Sequence, residues 1–394
     1  MPPLSSRFAR LPEYLLASIP QKKRELRARG VDVIDLGAGD ADLAPPTEAV
    51  HALERAVRDP AMSRYGFGTG LPAFREAVSR WMHRRFALSF DPMREIVPLI
   101  GSKEGIAHLA LAYLNAGDVA IIPEPGYLAY LGGSLLADGV PHVYALQSRN
   151  DFLLELDDVP SNVLARTKLV YLNYPNNPTA AIAPRDYLER TVAQCRARDI
   201  LLVYDNAYSE LAYDGYRPPS IFEIPGARDV AIEFHSLSKT YNMTGWRCGW
   251  AVARPETAAV LAKVKSFVDT GAFMAVQAAG AAALDAWERF LPGNLRTFLE
   301  RRDAAVAAFR AAGFTCEPPR ATMYLWIPLP AGVPSAAFAE RLLNEEGVVV
   351  LPGSSFGAGG EGFFRISFIT SPERIADAAT RAGRVLDRFE AAVV

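Results

Sequence analysis

The sequence has few cysteines, almost no net charge and no long apolar run. Its 394 residues include only three cysteines, Cys195, Cys248 and Cys316, which are odd in number and widely spaced. This spacing predicts neither a disulfide framework nor a zinc site, and it fits a reducing cytosol. No apolar stretch approaches the ~18 residues that cross a bilayer, and residues 1–7 lack the apolar core of a signal peptide. We therefore expect a cytoplasmic protein with no membrane partner and no metal.

The charges nearly balance, with 42 basic against 44 acidic residues and a formal charge of −2. This balance argues against a nucleic-acid partner. The one basic run, residues 21–29, is interrupted by Glu25 and Leu26, so we interpret it as the solvated face of a helix. A chain of this length is too long for one compact core, which predicts two domains.

Short apolar runs alternate with helical patterns over much of the chain. The predicted buried strands cover residues 119–122, 169–172, 201–204, 230–234 and 250–252. Apolar residues at helical spacing from Ile106 to Leu114 predict one helix, and Pro184 is expected to begin another. Such alternation predicts an α/β fold, a mainly parallel sheet with helices on both faces.

The chain beyond about residue 285 has a different pattern. A long helical stretch is predicted over 282–312, with a kink or break expected at Pro292-Gly293. Strand-like segments at 323–327, 348–351 and 363–368, a helix near 336–345 and a closing helix from about Pro372 follow. We therefore predict a large α/β domain over 46–284. A small α+β domain is expected from 1–45, with its strand-like 31–36, and 285–394.

The most informative motif surrounds Lys239, just after a predicted buried strand. This position is where open α/β sheets bind ligands. Ser236, Ser238 and Arg247 stand close to it in the sequence, and the arginine could bind a phosphate through two hydrogen bonds. A lone lysine in a loop is usually a solvated charge, but this combination of neighbours favours a functional site.

Three further motifs follow or precede predicted elements in the same way. Asn177, in the motif 173–179, could present its side-chain amide to an oxygen on the ring of a bound ligand, although the motif taken alone favours a polar turn. Asp205 could pair with a ring nitrogen and keep it protonated, or it could cap a helix. Gly101 and Ser102 open a helix whose N-terminus could bind an anion, although the two glycines within residues 100–105 are by themselves a weak signal.

These motifs, in this chain order, make the sequence resemble a class I/II aminotransferase of the pyridoxal 5′-phosphate (PLP) fold type I. The similarity extends from residues 36–40 through 65–70 to 364–367. The amino-acid sequence of residues 101–108, 234–247 and 214–220 is most similar to that of the LL-diaminopimelate aminotransferase group and its near relatives. The resemblance implies PLP as the cofactor and a large domain built on a mostly parallel seven-stranded sheet.

The resemblance also implies roles for individual residues. Lys239 would form a Schiff base with PLP and then carry the proton between substrate and cofactor. Asp205 would hold the ring nitrogen, Asn177 and Tyr208 would bond the phenolic oxygen of the ring, and Tyr127 would stack on the ring face.

The implied phosphate contacts come from Ser102, Lys103 through its backbone N–H, Ser236 and Arg247. Tyr65 would reach the phosphate in the neighbouring subunit, so the resemblance implies a homodimer with shared active sites.

The substrate α-carboxylate would be bound by Arg365, with help from Asn177 and the backbone at Gly37. Two departures from the family pattern are Ala41, where many relatives have proline, and Ala180, where many have glycine. The Ala180 change is expected to stiffen a loop and to affect the substrate pocket. Neither change removes an expected cofactor contact.

Three functions remain open at this point. The first is an aminotransferase with glutamate/2-oxoglutarate as one pair and LL-diaminopimelate, aspartate or alanine as the other substrate. The second is a β-eliminating C–S lyase of the same fold, which would share every cofactor residue. The third, a PLP-binding regulator fused to a DNA-binding module, is disfavoured because only about 35 residues precede Leu36.

Overall fold

The computed structural model describes residues 2–12, 19–67 and 69–390. The N-terminal part forms α1 (Ser6–Ala9), α2 (Ile19–Ala28) and β1 (Ile34–Asp35). The basic run 21–29 lies mostly on α2, where Leu26 is the buried residue. The interpretation of this run as an exposed helical face is therefore confirmed.

The next part of the chain alternates helices and strands. Its elements are α3 (Thr47–Ala56), α4 (Pro72–Phe86), β2 (Ile96–Leu99), α5 (Ser102–Tyr113), β3 (Val119–Glu124), α6 (Leu128–Leu136), β4 (Val140–Ala145), α7 (Ser161–Leu164), β5 (Thr167–Leu172), α8 (Arg185–Ala197), β6 (Leu201–Asp205), α9 (Ala227–Val230), β7 (Ala231–Ser236), α10 (Leu237–Thr240), β8 (Gly249–Ala253), α11 (Pro255–Val268) and α12 (Met274–Asp285). The strands form one seven-stranded sheet in the order β2-β8-β7-β6-β5-β3-β4. Because only β8 runs antiparallel to its neighbours, the carboxyl ends of the other six strands meet at one edge.

The apolar runs of the sequence correspond to strands that are buried on both faces. In β5, Leu169 and Tyr171 pack in the cluster under α5, α6 and α11, whereas Val170 and Leu172 pack in the cluster under α4, α8 and α12. Side chains alternate between the two faces of a strand, so a strand covered by helices on both sides needs apolar residues throughout. The predicted mainly parallel sheet is confirmed.

Two strands of this sheet were not predicted. β2 contains Pro98, and proline is uncommon within strands. β4 is an edge strand whose residues are exposed or half-buried, so it lacks a continuous apolar run. Both strands lie at the ends of the sheet, but only β4 lacks the burial on two faces that gives a strand its apolar run, since all four residues of β2 are buried.

The last part of the chain forms a second, smaller layered structure. Its elements are α13 (Trp287–Ala311), β9 (Tyr324–Pro328), α14 (Ser335–Glu346), β10 (Val348–Val349), β11 (Leu351–Pro352), β12 (Phe363–Ser367) and α15 (Pro372–Glu390). An antiparallel sheet in the order β11-β12-β9 packs in a separate hydrophobic cluster, and β1 pairs with β10. This cluster includes Ile34 and Leu36 from the N-terminal part, which supports our proposed division of the chain into 46–284 and 1–45 with 285–394.

The expected break at Pro292-Gly293 is wrong. The chain changes helix at Ala286, and Pro292 lies inside α13. Proline in the second turn removes a single backbone hydrogen bond, the one to the carbonyl of Glu288, and the packing of the helix tolerates this loss.

The three cysteines are free and buried. Burial raises the pKa of Cys195 and of Cys248 to about 12, and it also raises the pKa of Cys316. Cys195 and Cys248 pack in the cluster under α4 and α8, whereas Cys316 packs in the cluster of the smaller sheet. Within residues 2–12, 19–67 and 69–390, no helix is both long and apolar enough to cross a membrane.

Candidate active site

A cavity of about 280 Å³ lies at the carboxyl edge of the large sheet. It is lined from both structural parts of the chain, since Tyr324, Phe356 and Arg365 of the second part face residues of the first. All of the predicted site residues except Tyr65 and Gly37 line it, namely Ser102, Lys103, Tyr127, Asn177, Asp205, Tyr208, Ser236, Lys239, Arg247 and Arg365. The structure therefore brings together motifs that are far apart in the sequence.

Lys239 lies on the short helix α10, directly after β7. Ser236 begins this helix, and its hydroxyl oxygen accepts a hydrogen bond from the backbone N–H of Ser238 at 3.1 Å. The Lys239 Nζ donates to the carbonyl oxygen of Gly39 at 2.5 Å. The amine is thus held within the cavity and not in solvent.

Asp205 is the last residue of β6 and is only 4% exposed. Burial raises its pKa to about 6, although the hydrogen bond from Tyr130 and the nearby His235 act in the opposite direction. The Tyr130 hydroxyl donates to Oδ2 at 2.8 Å, while the buried Oδ1 receives no hydrogen bond from a side chain of the described residues. A turn follows β6, so Asp205 does not cap a helix.

Two asparagines connect neighbouring strand ends. Asn173 Nδ2 donates to the carbonyl of Asp205 at 2.8 Å, and Asn173 Oδ1 accepts the backbone N–H of Asn177 at 2.8 Å. Asn177 Oδ1 in turn accepts from Arg365 Nη1 at 2.7 Å. Arg365 Nη2 donates to the carbonyl of Gly37 at 2.6 Å, which places Gly37 beside the cavity through its backbone.

The guanidinium of Arg365 lies between two aromatic rings. Its Cζ is 4.1 Å from the ring centroid of Tyr324 and 4.9 Å from that of Phe356. The hydroxyl oxygens of Tyr324 and Tyr208 are 2.9 Å apart. Burial raises the pKa of Tyr208 well above 10, so its hydroxyl keeps its proton at neutral pH.

The opposite end of the cavity is cationic. Ser102 and Lys103 open α5, and Arg247 faces the same helix end. Gly101 has a φ of 73°, and a Cβ at this position would lie 2.5 Å from Arg247 Nη2, so glycine lets the arginine approach the helix. Burial and the charge of Arg247 lower the pKa of Lys103, whose Nζ lies 5.9 Å from the ring centroid of Tyr127.

These residues fit PLP. Two cations at a helix N-terminus suit a phosphate, and the buried Oδ1 of Asp205 suits a protonated ring nitrogen. Arg365, at the far end, presents a planar group that suits a carboxylate. When it is bound, PLP supplies an aldehyde that captures an amine and a ring that withdraws electrons from the α-carbon.

A family model described as aminotransferase class I and II matches residues 31–381. The chain is 47% identical over 384 residues to the LL-diaminopimelate aminotransferase of Moorella thermoacetica, covering 98% of each chain. It is 44% identical to LL-diaminopimelate aminotransferase 2 of Trichormus variabilis, covering 96% of this chain and 97% of that one.

Among solved structures, substrate-bound BacF of Bacillus subtilis superposes with a TM-score of 0.93 at 32% identity and 98% coverage of both chains. A probable N-succinyldiaminopimelate aminotransferase of Thermus thermophilus gives 0.88 at 37% identity, covering 95% of this chain and all of that one. Fold and site define a PLP-dependent enzyme of fold type I. The chain belongs to the class I and II aminotransferase family, and it is a PLP-dependent aminotransferase. These relatives do not support the C–S lyase alternative.

Several residues of the site, some lining the cavity and one supporting Asp205, are not identified by the sequence. Asn173 belongs to a motif that had been singled out, and Tyr130 stands one helical turn after Tyr127, so both carried a weak signal. Tyr324 and Phe356 carried none, because they face the cavity only through the fold of the second part. Tyr65 is 73% exposed and lies outside the cavity in a single chain, so its expected role remains a prediction.

Proposed function

We propose that this enzyme transfers an amino group between LL-diaminopimelate and 2-oxoglutarate, in either direction. The observation that carries this proposal is the near full-length identity of 44–47% to enzymes named LL-diaminopimelate aminotransferase. The site agrees with it in one respect that any amino-acid substrate requires, a buried arginine opposite the cationic end of the cavity.

The residue roles follow from position and chemistry. The phosphate of PLP would be held by Ser102, Lys103, Ser236 and Arg247 at the start of α5. Their N–H, hydroxyl and cationic groups all stabilise negative charge.

The ring would be held between Asp205 and Tyr127. Asp205 would accept a hydrogen bond from the protonated ring nitrogen, and the negative carboxylate would keep that nitrogen protonated. Asn177 and Tyr208 would donate to the phenolic oxygen of the ring, which lowers the proton affinity of the Lys239 nitrogen when it is joined to the cofactor. Tyr127 would cover the face of the ring.

Arg365 would bind the α-carboxylate of the substrate through two parallel hydrogen bonds, while Asn177 and the Gly37 carbonyl fix the guanidinium. Lys239 would act as the base. Its Nζ, once uncharged, would remove the proton from the α-carbon of the substrate and pass it to the cofactor. Binding both ends of the substrate–cofactor pair orients the bond that breaks.

The enzyme is proposed to be a homodimer in which Tyr65 of one chain contacts the phosphate bound by the other. An exposed pair of aromatic rings supports an interface, since exposed apolar surface of this kind often marks one. The pair is Tyr65 and Phe67, whose ring centroids lie 5.7 Å apart. A cytoplasmic location is part of the same proposal and agrees with three free, buried cysteines.

Subunit mixing tests the shared site. Chains carrying Lys239→Ala and chains carrying Tyr65→Ala are each expected to be impaired, whereas a mixed dimer contains one site with both native residues. Recovered activity on mixing supports the proposal. No recovery, or a monomer in analytical ultracentrifugation, contradicts it.

A half-reaction spectrum tests the substrate. PLP-loaded enzyme is mixed separately with LL-diaminopimelate, glutamate, aspartate and alanine, and the cofactor absorption is followed. LL-diaminopimelate and glutamate are expected to convert the band fully, and 2-oxoglutarate to restore it. Conversion by aspartate or alanine without LL-diaminopimelate would reassign the substrate.

A further inference from the structure

Tyr324 contacts two of the predicted site residues, Tyr208 and Arg365, although no sequence motif identified it. It is the first residue of β9, it is buried, and it lines the cavity. Its hydroxyl oxygen lies 2.9 Å from that of Tyr208, and its ring centroid lies 4.1 Å from Arg365 Cζ. One side chain thus contacts the residue proposed to bind the cofactor ring and the residue proposed to bind substrate.

We propose that Tyr324 is a positioning residue with two separable actions. Its ring holds the Arg365 guanidinium for the substrate α-carboxylate, and its hydroxyl donates to Tyr208 and so strengthens the hydrogen bond that Tyr208 gives to the cofactor. This inference rests on the roles proposed above for Tyr208 and Arg365.

The direction of the tyrosine–tyrosine hydrogen bond follows from counting protons. Either hydroxyl can donate in this pair. A hydroxyl has a single proton, so if Tyr208 gives its proton to the ring oxygen of PLP, Tyr324 must be the donor to Tyr208. Hydrogen bonds in such a chain polarise one another, and Tyr208 therefore becomes a better donor than it would be alone.

The charges around Tyr324 favour this direction. Although burial acts in the opposite direction, the positive charges of Lys239 and Arg365 lower the pKa of Tyr324, and they make its hydroxyl a stronger donor. Tyr324 is therefore the natural donor and Tyr208 the natural acceptor.

The ring has a different task. Asn177 Oδ1 and the Gly37 carbonyl accept hydrogen bonds from the Arg365 guanidinium, and the rings of Tyr324 and Phe356 lie 4.1 and 4.9 Å from its Cζ. The two hydrogen bonds alone allow the guanidinium plane to tilt. Packing against the Tyr324 ring limits this tilt, which matters because a carboxylate must lie in the plane of the guanidinium to accept two hydrogen bonds.

The two actions predict different results for two substitutions. Tyr324→Phe keeps the ring and removes the hydroxyl. The absorption band of the lysine-bound cofactor should then titrate at a pH higher by about 0.5 unit. The reason is that a weaker hydrogen bond from Tyr208 leaves the Lys239 nitrogen, which is joined to the cofactor, more basic. The dissociation constant of 2-oxoglutarate, which does not react with the lysine-bound cofactor, should change by less than about twofold.

Tyr324→Leu removes both groups. It should give the same upward pH shift and should also weaken 2-oxoglutarate binding by about five- to tenfold, because the Arg365 guanidinium loses its contact with the Tyr324 ring. Both measurements are made on the loaded enzyme and neither depends on turnover.

Tyr213→Phe is the matched control. Tyr213 is also buried, its hydroxyl donates to the Thr322 carbonyl at 2.7 Å, and its ring centroid lies 5.0 Å from Arg302 Cζ. It lies outside the cavity, so its substitution should move neither the pH midpoint nor the binding of 2-oxoglutarate. Thermal melting of all three variants shows whether each one folds.

The inference fails if Tyr324→Phe leaves the midpoint unchanged, or if Tyr213→Phe shifts it equally. It also fails if Tyr324→Phe and Tyr324→Leu weaken 2-oxoglutarate binding to the same extent. Failure of the proposed function is distinguishable, because in that case the unmodified enzyme itself would not convert its cofactor band with LL-diaminopimelate.

Discussion

The two ends of the cavity are assembled in opposite ways. The cationic end is formed by Ser102, Lys103 and Arg247, which belong to segments at adjoining strand ends, and Arg247 is exposed. The arginine end is buried, and its contacts bridge long distances in the chain. Arg365 is 188 residues from Asn177 and 328 residues from Gly37.

This difference shows which part of an active site a sequence can reveal. The cationic end needs little more than a helix N-terminus and nearby basic residues, and both appear as short motifs. The arginine end depends on how β9 and β12 pack against the larger sheet, so its aromatic members become visible only in the folded chain. The two ends should accordingly respond differently to substitution.

Lys239 lies between the two ends, and its substitution should have the largest effect. Lys239→Ala removes the base and the covalent attachment, so kcat/KM should fall by at least about 10³-fold, and the absorption band of the lysine-bound cofactor should disappear. Lys168→Ala, at an exposed position on β5, is the control. Retention of a tenth of the activity by Lys239→Ala would contradict the assignment.

Arg365→Lys alters only the buried arginine end of the cavity. Lysine cannot give two parallel hydrogen bonds or stack between rings, so KM for the amino acid should rise by about 100-fold with PLP affinity unchanged. Arg85→Lys is a matched control, because Arg85 is also buried, pairs with Glu210 at 2.7 Å and lies 4.5 Å from the ring centroid of Phe86. It should lower stability and leave KM unaltered. An equal rise in KM for both variants would contradict the assignment of Arg365 to the substrate carboxylate.

Asp205→Asn tests the burial of the Asp205 carboxylate, which belongs to neither end of the cavity. The pKa of Asp205 is raised to about 6, so between about pH 4 and 6 the folded protein holds a proton that the unfolded chain has lost. Stability therefore falls as pH rises through this window. Cofactor-free Asp205→Asn should be more stable than the parent by about 2 kcal/mol at pH 8 and equal to it below pH 4.

Urea unfolding at several pH values measures this difference. Asp118 is the control of opposite sign, because hydrogen bonds from the backbone and side chain of Asn115 lower its pKa. Asp118→Asn should lower stability at pH 8, if it has any effect. A stability difference for Asp205→Asn that does not vary with pH would refute the explanation.

Arg247→Ala removes one positive charge from the cationic end of the cavity and leaves the arginine end unchanged. Because Arg247 is exposed, we expect a smaller effect than at Arg365: the dissociation constant of PLP should rise by about tenfold, with KM for the amino acid unchanged. Arg254→Ala removes another exposed arginine and should alter neither value. A rise in KM instead of PLP dissociation would assign Arg247 to the substrate.

Ala180→Gly should have the smallest effect. Ala180 has a φ of 59°, a left-handed conformation that glycine adopts more readily, so the free energy of unfolding should increase by about 0.5 kcal/mol. Ala180 does not line the site cavity but lies in a neighbouring cleft, which shares Tyr324 with that cavity, and activity should stay within about twofold. Ala197→Gly, within α8, should instead decrease stability. A change in substrate preference would show that the loop shapes the pocket.

Most of the fold was predictable because both faces of its central strands are buried. β5 and β6 are mostly apolar, β7 is buried throughout although it contains Glu233 and His235, and the motifs at the ends of these strands gave Asn177, Asp205 and Lys239. The edge strand β4 could not be found in this way, since its residues are half-exposed. The predicted single strand 348–351 is instead β10 and β11, which pair with different sheets, and sequence periodicity does not encode such a change of partner.

The three buried thiols make the protein its own reporter of local opening. A thiol reacts as the thiolate, so a residue with a high pKa and no solvent access reacts only when its surroundings unfold. Modification of Cys316 then reports the opening of the core around β9 and β12, and modification of Cys195 or Cys248 reports that of the core around α4 and α8. Mass spectrometry of timed alkylation would give the order in which the two cores open, without any engineered label.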